Sequence, residues 1–204
     1  MSTTRLEAFS DGVLAVAITL LVLNITVPDP GTTTDLWRAL TDNWQEYLAY
    51  ITSFLTIGII WVNHHAMIGR LRETDHAILV LNLLLLMSVG LLPFATALVA
   101  TYLKAGHDES LAAAIYSGAL LLMSLTFSAL NHQILLVKAD LLATGLPEQR
   151  RRAIFRRAVT GIVPYVIATA LAPVSPYATL VICAVVAGFY ATPLASGSGA
   201  DGGP

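Results

Sequence analysis

Long stretches without a charged residue dominate the hydrophobicity pattern of this chain. Charge-free intervals cover residues 12–28, 47–69, 76–103, 110–137 and 158–200. A bilayer core is about 30 Å thick and an α-helix rises about 1.5 Å per residue, so about 20 apolar residues are needed to cross it. The first four intervals therefore predict one membrane-spanning helix each, and the last is long enough for two.

Two prolines divide the last interval. Residues 172–176 read Ala-Pro-Val-Ser-Pro. Proline removes a backbone donor and moves the residue before it away from helical angles, so we expect a turn there. The pattern predicts an all-α integral membrane protein with six transmembrane helices per chain, at about 5–27, 45–69, 77–103, 110–137, 155–172 and 175–193.

Composition supports this fold class and a single domain. Of 204 residues, 56% are hydrophobic and 12% are charged, which is outside the range of soluble domains. We expect residues 1–193 to form one six-helix domain and residues 194–204, rich in Gly and Ser, to form a disordered low-complexity tail. A cleaved signal peptide is not expected, because Arg5 is followed closely by Glu7 and Asp11.

The basic residues are asymmetrically placed. Nine of the 11 fall at one end of the predicted bundle, and only Arg38 and Lys104 fall at the other. Since basic loops are retained in the cytoplasm, both termini are predicted to be cytoplasmic. The arginines of residues 150–157 are either topology anchors or a site for anionic lipids. The acidic outer loop, residues 28–43, either concentrates cations or is merely tolerated there.

Several functional classes find no support in the sequence. A lone Cys183 provides no disulfide framework, and a net charge of −2 provides no nucleic-acid footprint. No nucleophile and base arrangement, phosphate loop or carboxylate pair is present, so we expect no enzyme and no cofactor. A TVGYG-type filter and an arginine-rich voltage sensor are also absent.

The first predicted helix carries a stripe of residues on one face. At 100° per residue, the stripe contains Arg5, Phe9, Gly12, Val16, Thr19, Leu20, Leu23 and Val27. Ser10 and Asp11 face away from it. If the stripe lines a pathway, Asp11 clamps the helix to its neighbours. An i, i+4, i+7 stripe is also typical of ordinary packing in membranes, and Thr19 alone is typical of a hydroxyl bonded to the preceding turn.

This helix resembles the signature of a known family. Residues 5–23, RLEAFSDGVLAVAITLLVL, with Arg5 and the triplet Phe9, Ser10 and Asp11, are similar to the first helix of the transmembrane protein 175 family. Its members are potassium-permeable channels of lysosomes and prokaryotes. Residues 61–65, WVNHH, resemble the family's Trp and His pattern in the second span. The single six-helix form resembles the prokaryotic members, which implies a bacterial inner membrane.

The resemblance implies a homotetramer among membrane lipids, in which four copies of the first helix line the path of K⁺ and other monovalent cations. It implies a hydrophobic constriction at Val16, Leu20 and Leu23, and it makes Thr19 the selectivity candidate. Isoleucine is common in the family where this chain has Val16. A smaller side chain in every subunit would widen the narrowest ring.

The second predicted span carries two adjacent histidines, His64 and His65. Adjacent residues on a helix point about 100° apart, so they are poorly placed to ligate one metal, and none is expected. We expect donors of this span to satisfy the acceptors of the first; the donors are Trp61, Asn63 and one of the histidines, and the acceptors are Ser10 and Asp11.

Two rival functions remain open at the level of sequence. In the first, a proton-coupled secondary transporter, Asp11 and either His64 or His65 would exchange protons while substrate binds near the midplane. Against it, Asp11 lies near a helix end and discontinuous helices in matching halves are not evident. In the second, a non-conducting scaffold, the motif of Arg5 and Asp11 would have no purpose.

Overall fold

The computed structural model describes residues 3–31, 35–143 and 145–192, so the predicted tail of residues 194–204 lies outside them. The α-helices in these ranges are α1 (Thr3–Leu20), α2 (Leu36–Asp42), α3 (Trp44–Ile68), α4 (His76–Gly90), α5 (Leu92–Ala105), α6 (Glu109–His132), α7 (Glu148–Thr160), α8 (Ile162–Leu171) and α9 (Pro176–Ala191). A 3₁₀ turn, Leu21–Asn24, extends α1, and a π-helical turn, Gln133–Val137, extends α6.

The all-α membrane architecture is confirmed. Among the described residues, five helical segments are long and apolar enough to cross a bilayer: Thr3–Asn24, Trp44–Ile68, His76–Ala105, Glu109–Val137 and Glu148–Leu171. The sixth predicted span is the apolar α9, which has 16 residues and is thus about 24 Å long. The predicted turn before it is present, and Ser175 caps α9 by accepting a hydrogen bond from the backbone N–H of Ala178.

Three predicted boundaries differ from the structure. The α-helical part of the first span ends at Leu20, because the chain tightens into the 3₁₀ turn. The third span breaks at Leu91. Pro93 lies in the first turn of α5, where backbone N–H groups have no partner within the helix, so the missing N–H of proline costs no hydrogen bond. The fifth helical segment begins at Glu148, since arginine and glutamine are good helix formers that a hydropathy pattern overlooks.

Helix α6 lies at the centre of the bundle and α1 lies at its edge. Helix α6 contacts α4, α5, α7, α8 and α9, whereas α1 packs mainly on α3 and α4. In the core, the Ser53 hydroxyl lies 2.8 Å from that of Thr96 and 3.0 Å from that of Tyr116, which joins α3, α5 and α6. One side of α1 therefore has no neighbour among the residues that the structure describes.

The loops at each end of the bundle are tied together. At one end, the Arg72 N–H donates to the Leu141 carbonyl at 2.9 Å and the Ala143 N–H donates to the Arg70 carbonyl at 2.8 Å. At the other end, α5 ends at Gly106, whose φ of 73° favours glycine, and Lys104 donates to Asn43. The basic loops after α3 and α6 thus share one end.

Candidate functional site

The predicted stripe of α1 is exposed along its whole length. Val16 is 56% exposed, Leu20 is 44% and Leu23 is 75%, although most residues this apolar are buried in a folded chain. The other stripe members, Arg5, Phe9, Gly12, Thr19 and Val27, are also exposed. A continuous apolar face of this kind marks a surface that another molecule or lipid covers.

The 3₁₀ turn changes the register of the stripe. A 3₁₀ helix has three residues per turn, so side chains three apart are eclipsed. Leu23 is three residues after Leu20. In the 3₁₀ turn it therefore lies almost directly in line with Leu20 along the helix axis, whereas an α-helix would offset the two side chains. By the rise of each helix type, Val16, Leu20 and Leu23 are spaced at about 6 Å intervals.

The Thr19 hydroxyl is bonded to its own helix. It donates to the Val16 carbonyl at 2.9 Å, which is the common behaviour of a threonine in a membrane helix. A hydroxyl that donates its hydrogen keeps two lone pairs that can accept, and Thr19 is exposed. The same geometry that satisfies the donor therefore leaves an acceptor on the stripe.

The opposite face of α1 is buried against α3 and α4, with Leu6, Leu14, Ala17 and Leu21 in the core. Ser10 lies among them. Its hydroxyl donates to the Leu6 carbonyl at 2.8 Å and accepts from the Asn82 amide nitrogen at 3.0 Å. The Asn82 amide oxygen lies 2.7 Å from Nε2 of His64. These hydrogen bonds join three helices, α1, α4 and α3.

The direction of the hydrogen-bond chain is fixed by its end. A carbonyl such as that of Leu6 only accepts, so Ser10 must donate to it and must accept from Asn82. The Asn82 oxygen then faces His64, whose Nε2 must carry a hydrogen. His64 is therefore the Nε2–H tautomer, and its Nδ1 is buried with no hydrogen-bond partner in the described part of the chain.

A second group of contacts lies at the same end of α1. The Trp61 indole N–H donates to Asp11 at 3.0 Å. Nδ1 of His65 lies 3.0 Å from the Glu7 carboxylate and 3.9 Å from that of Asp11. Glu7 and Asp11 are one helical turn apart, so both face α3. These partly exposed groups connect the helices while remaining in reach of water.

Contacts with α3 and α5 also hold the far end of the first span. The Asn24 amide donates to the Pro93 carbonyl at 2.8 Å, and the Thr26 N–H donates to the Glu46 carboxylate at 2.7 Å. Glu46 is buried, and its other oxygen lies 3.6 Å from the Lys104 ammonium. Both ends of the first span are therefore anchored while its stripe stays exposed.

Sequence reasoning placed some of these residues and missed others. Of the expected donors, Trp61 reaches Asp11, whereas Asn63 donates to the Ile59 carbonyl of its own helix at 2.8 Å. The partners of Asn82 and the role of Glu46 were missed. The available signals were an amide within a charge-free interval and a carboxylate at the start of a span, both costly unless partnered.

Comparisons with known proteins bear on this site. Residues 5–93 match the family described as endosomal/lysosomal potassium channel TMEM175. A potassium channel of Streptomyces collinus is 49% identical over 126 residues, covering 62% of this chain and 61% of that protein. A potassium channel of Chamaesiphon minutus is 41% identical over 193 residues, covering 93% of each. The chain belongs to the TMEM175 family.

A solved structure agrees with this membership. The crystal structure of a lysosomal potassium-selective channel TMEM175 homolog from Chamaesiphon minutus superposes with a TM-score of 0.82 at 39% identity, covering 93% of this chain and 96% of that one. The family match runs from α1 to the first turn of α5. It thus contains the exposed stripe, the Trp61 and His65 contacts and Asn82, and the predicted family resemblance is confirmed.

Proposed function

We propose that this protein is a potassium-permeable cation channel in which four copies of α1 surround the ion path. The observation that carries the proposal is the exposed apolar stripe of α1, which no described part of the same chain covers. One chain supplies one such helix, so a closed path requires several copies. The homotetramer is supported by the family membership. The basic loops support a cell-membrane topology with both termini cytoplasmic.

The proposed gate is a hydrophobic neck formed by rings of Val16, Leu20 and Leu23. Three rings at about 6 Å intervals give a neck about 12 Å long. Such a neck blocks ions by excluding water, and it conducts when the rings separate enough to admit a hydrated path. Val16 in the first ring makes that ring wider than an isoleucine would.

Thr19 is the proposed selectivity residue. Its oxygen accepts toward the exposed side of α1, so four such oxygens would replace part of the hydration shell of a K⁺ ion. One ring of hydroxyls provides fewer ligands than a stack of carbonyl rings. We therefore expect a moderate preference for K⁺ over Na⁺.

Electrical recording in a planar bilayer, with a K⁺ gradient opposed by Na⁺, tests the proposal. The wild type should show unitary steps that reverse near the K⁺ potential. Leu23→Ala should raise basal current several-fold, since the smaller alanine widens one ring of the neck, and Thr19→Val should shift the reversal potential toward zero. Leu111→Ala, at an exposed leucine of α6, and Thr169→Val, at a back-bonded threonine of α8, are the matched controls.

Two outcomes would contradict the channel. Unchanged current in Leu23→Ala would remove that residue from the gate. Saturable coupled flux without unitary steps would favour the proton-coupled transporter. Of the two histidines in that rival, His64 is engaged with Asn82, whereas His65 lies 3.9 Å from the Asp11 carboxylate, so the flux measurement decides between the two functions.

A further inference from the structure

Helix α7 is strongly basic and lies outside the core. Its 13 residues include five arginines, Arg150, Arg151, Arg152, Arg156 and Arg157, and a single carboxylate, Glu148; none is fully buried. The helix packs against α6 and its π-helical end. It continues almost directly into the apolar α8. The arginines therefore lie where the chain passes from a polar to an apolar environment.

A groove of about 520 Å³ lies at the surface where α7 meets the π-helical turn. Its apolar lining comes from Leu136 and Phe155, and its basic lining comes from Arg151, Arg152 and Arg156. The Phe155 ring is fixed edge-on against His132, with 5.3 Å between ring centroids. A ligand that combines a negative charge with apolar chains matches both parts of this lining.

Arg151 is the best-positioned arginine of the groove. One of its terminal nitrogens donates to the Leu135 carbonyl at 2.8 Å, which holds the guanidinium against the end of α6. Its Nε is buried and has no hydrogen-bond partner among the described residues. A guanidinium binds phosphate best through two parallel N–H groups, so a small rotation that brings this edge to the groove would complete such a fork.

The surface beside the groove is apolar along α8. Val163, Val166 and Ile167 are each about half exposed, and they follow α7 along the same helical segment. This surface continues the apolar part of the groove toward the bilayer core. A soluble phosphate would use only the arginines, whereas a phospholipid would use both surfaces.

We propose that the groove between α7 and the π-helical turn binds an acidic phospholipid. Its headgroup phosphate contacts Arg151, Arg152 and Arg156, and an acyl chain lies over Phe155 and along α8. The net positive charge of α7 and its place beside the apolar face of α8 favour an acidic lipid of the bilayer. Arg152 is partly neutralised by an ion pair with Glu148, so this carboxylate weakens the site.

Native mass spectrometry of the intact assembly measures lipid retention directly. The probes are dioleoyl phosphatidylglycerol and dioleoyl phosphatidylcholine at equal concentration. We expect several-fold greater retention of phosphatidylglycerol. Arg156→Gln and Arg151→Lys should each reduce that retention about threefold or more, whereas Arg72→Gln, an exposed arginine at the same end, should not. Arg151→Lys keeps the charge and tests the fork; Arg156 is exposed, so Arg156→Gln should fold normally.

A substitution that should increase lipid retention provides a further test. Glu148→Gln frees Arg152 from its ion pair and should increase phosphatidylglycerol retention. Equal retention of the two lipids, or equal retention by Arg156→Gln and Arg72→Gln, would overturn the proposal. Displacement of phosphatidylglycerol by millimolar inorganic phosphate would overturn it as well, because it would identify a site for soluble anions.

Discussion

At the scale of single residues, the buried hydrogen bonds from Ser10 through Asn82 to His64 place the strictest geometric requirements on the packing of the helices. Each group is almost inaccessible to solvent, and each donor meets an acceptor in a fixed direction. In an apolar environment an unpaired polar group costs free energy. This row of hydrogen bonds therefore specifies how α1, α3 and α4 meet. Leucine could fill the same space but would not define that register.

Replacement of Asn82 tests the importance of this chain. Asn82→Ala leaves Ser10 without its donor and His64 without its acceptor. We expect a loss of about 1 kcal/mol in unfolding free energy, since interhelical hydrogen bonds in membranes average about 0.6 and reach about 1.7 kcal/mol. Thermal unfolding in detergent should show a midpoint lower by about 2–4 °C.

Asn63→Ala is the matched control, because that exposed amide bonds only to its own helix. Equal losses in the two variants would mean that the interhelical chain adds nothing beyond a local amide contact.

The residue scale also shows what sequence reasoning can reach. The helical wheel separated Ser10 and Asp11 from the stripe, because that separation depends only on position along one helix. It could not name the partners of Asn82, because the partner of a buried amide depends on which helices are neighbours. Asn63 was misassigned for the same reason: a polar residue in a span can bond across helices or to its own backbone.

At the scale of elements, the first span is a helix held at both ends and exposed in between. The Trp61 and His65 contacts fix one end, and the Asn24 and Glu46 contacts fix the other. If the exposed stripe moves, we expect the whole first span to move as one rigid body, or the 3₁₀ turn to change its helical winding.

Glu46 should be a stabilising anchor of the C-terminal end of the first span. Glu46→Gln retains an oxygen that accepts from the Thr26 N–H, whereas Glu46→Ala removes it. We expect Glu46→Ala to cost about 1–3 kcal/mol, the range for a buried donor left unpaired, and Glu46→Gln to cost less. Thermal unfolding of both variants, with the exposed Asp42→Ala as control, measures the difference. Equal effects of the two substitutions would contradict an acceptor role.

Asp75 should make the opposite end sensitive to acid. It caps α4 by accepting from the Ile78 N–H at 2.8 Å, and this bond, assisted by Lys138, holds the pKa of Asp75 below its ordinary value. A lowered pKa in the folded state stabilises the fold above the unfolded pKa of about 3.9, and this contribution is lost as pH falls through the folded value.

Asp75→Asn retains a capping oxygen but does not titrate. The difference in unfolding midpoint between wild type and Asp75→Asn should therefore be constant from pH 7 to about pH 5 and shrink below about pH 4. Asp140→Asn, at an exposed aspartate nearby, is the control. A difference that persists unchanged to pH 3 would exclude this origin.

Elements were predicted best where hydropathy alone decides. The charge-free intervals located the spans because bilayer thickness fixes the number of apolar residues. The start of α7 was placed too late, because its arginines are polar yet form helix readily. The 3₁₀ turn at Leu21–Asn24 is joined at Asn24 to the Pro93 carbonyl, a contact between distant residues that no local pattern contains.

At the scale of the whole molecule, the isolated chain leaves its first span incompletely packed. A shallow apolar groove runs along the exposed stripe, and its lining includes Phe9, Val16 and Leu20 of the stripe together with Val13 and Gly90. The family membership and this surface together support an assembly with α1 at its centre.

The mass of the detergent-solubilised protein tests that assembly. Native mass spectrometry should give a species of four times the 21.7 kDa chain mass. Phe9→Asp introduces a charge on the stripe, so it should shift the population toward smaller species, while Leu111→Asp on α6 should shift it less. A dominant monomer or dimer in wild type would reject the tetramer.

The anchors at Thr26 and Asn43 have a consequence for the evolution of the loop between α1 and α3. Thr26 is fixed by Glu46 and Asn43 is fixed by Lys104, so the loop enters and leaves at set points. Closing a loop between fixed ends costs only about 0.6 kcal/mol more for each doubling of its length. Insertions between these points can therefore accumulate without moving α1, which leaves this loop free to diversify among relatives.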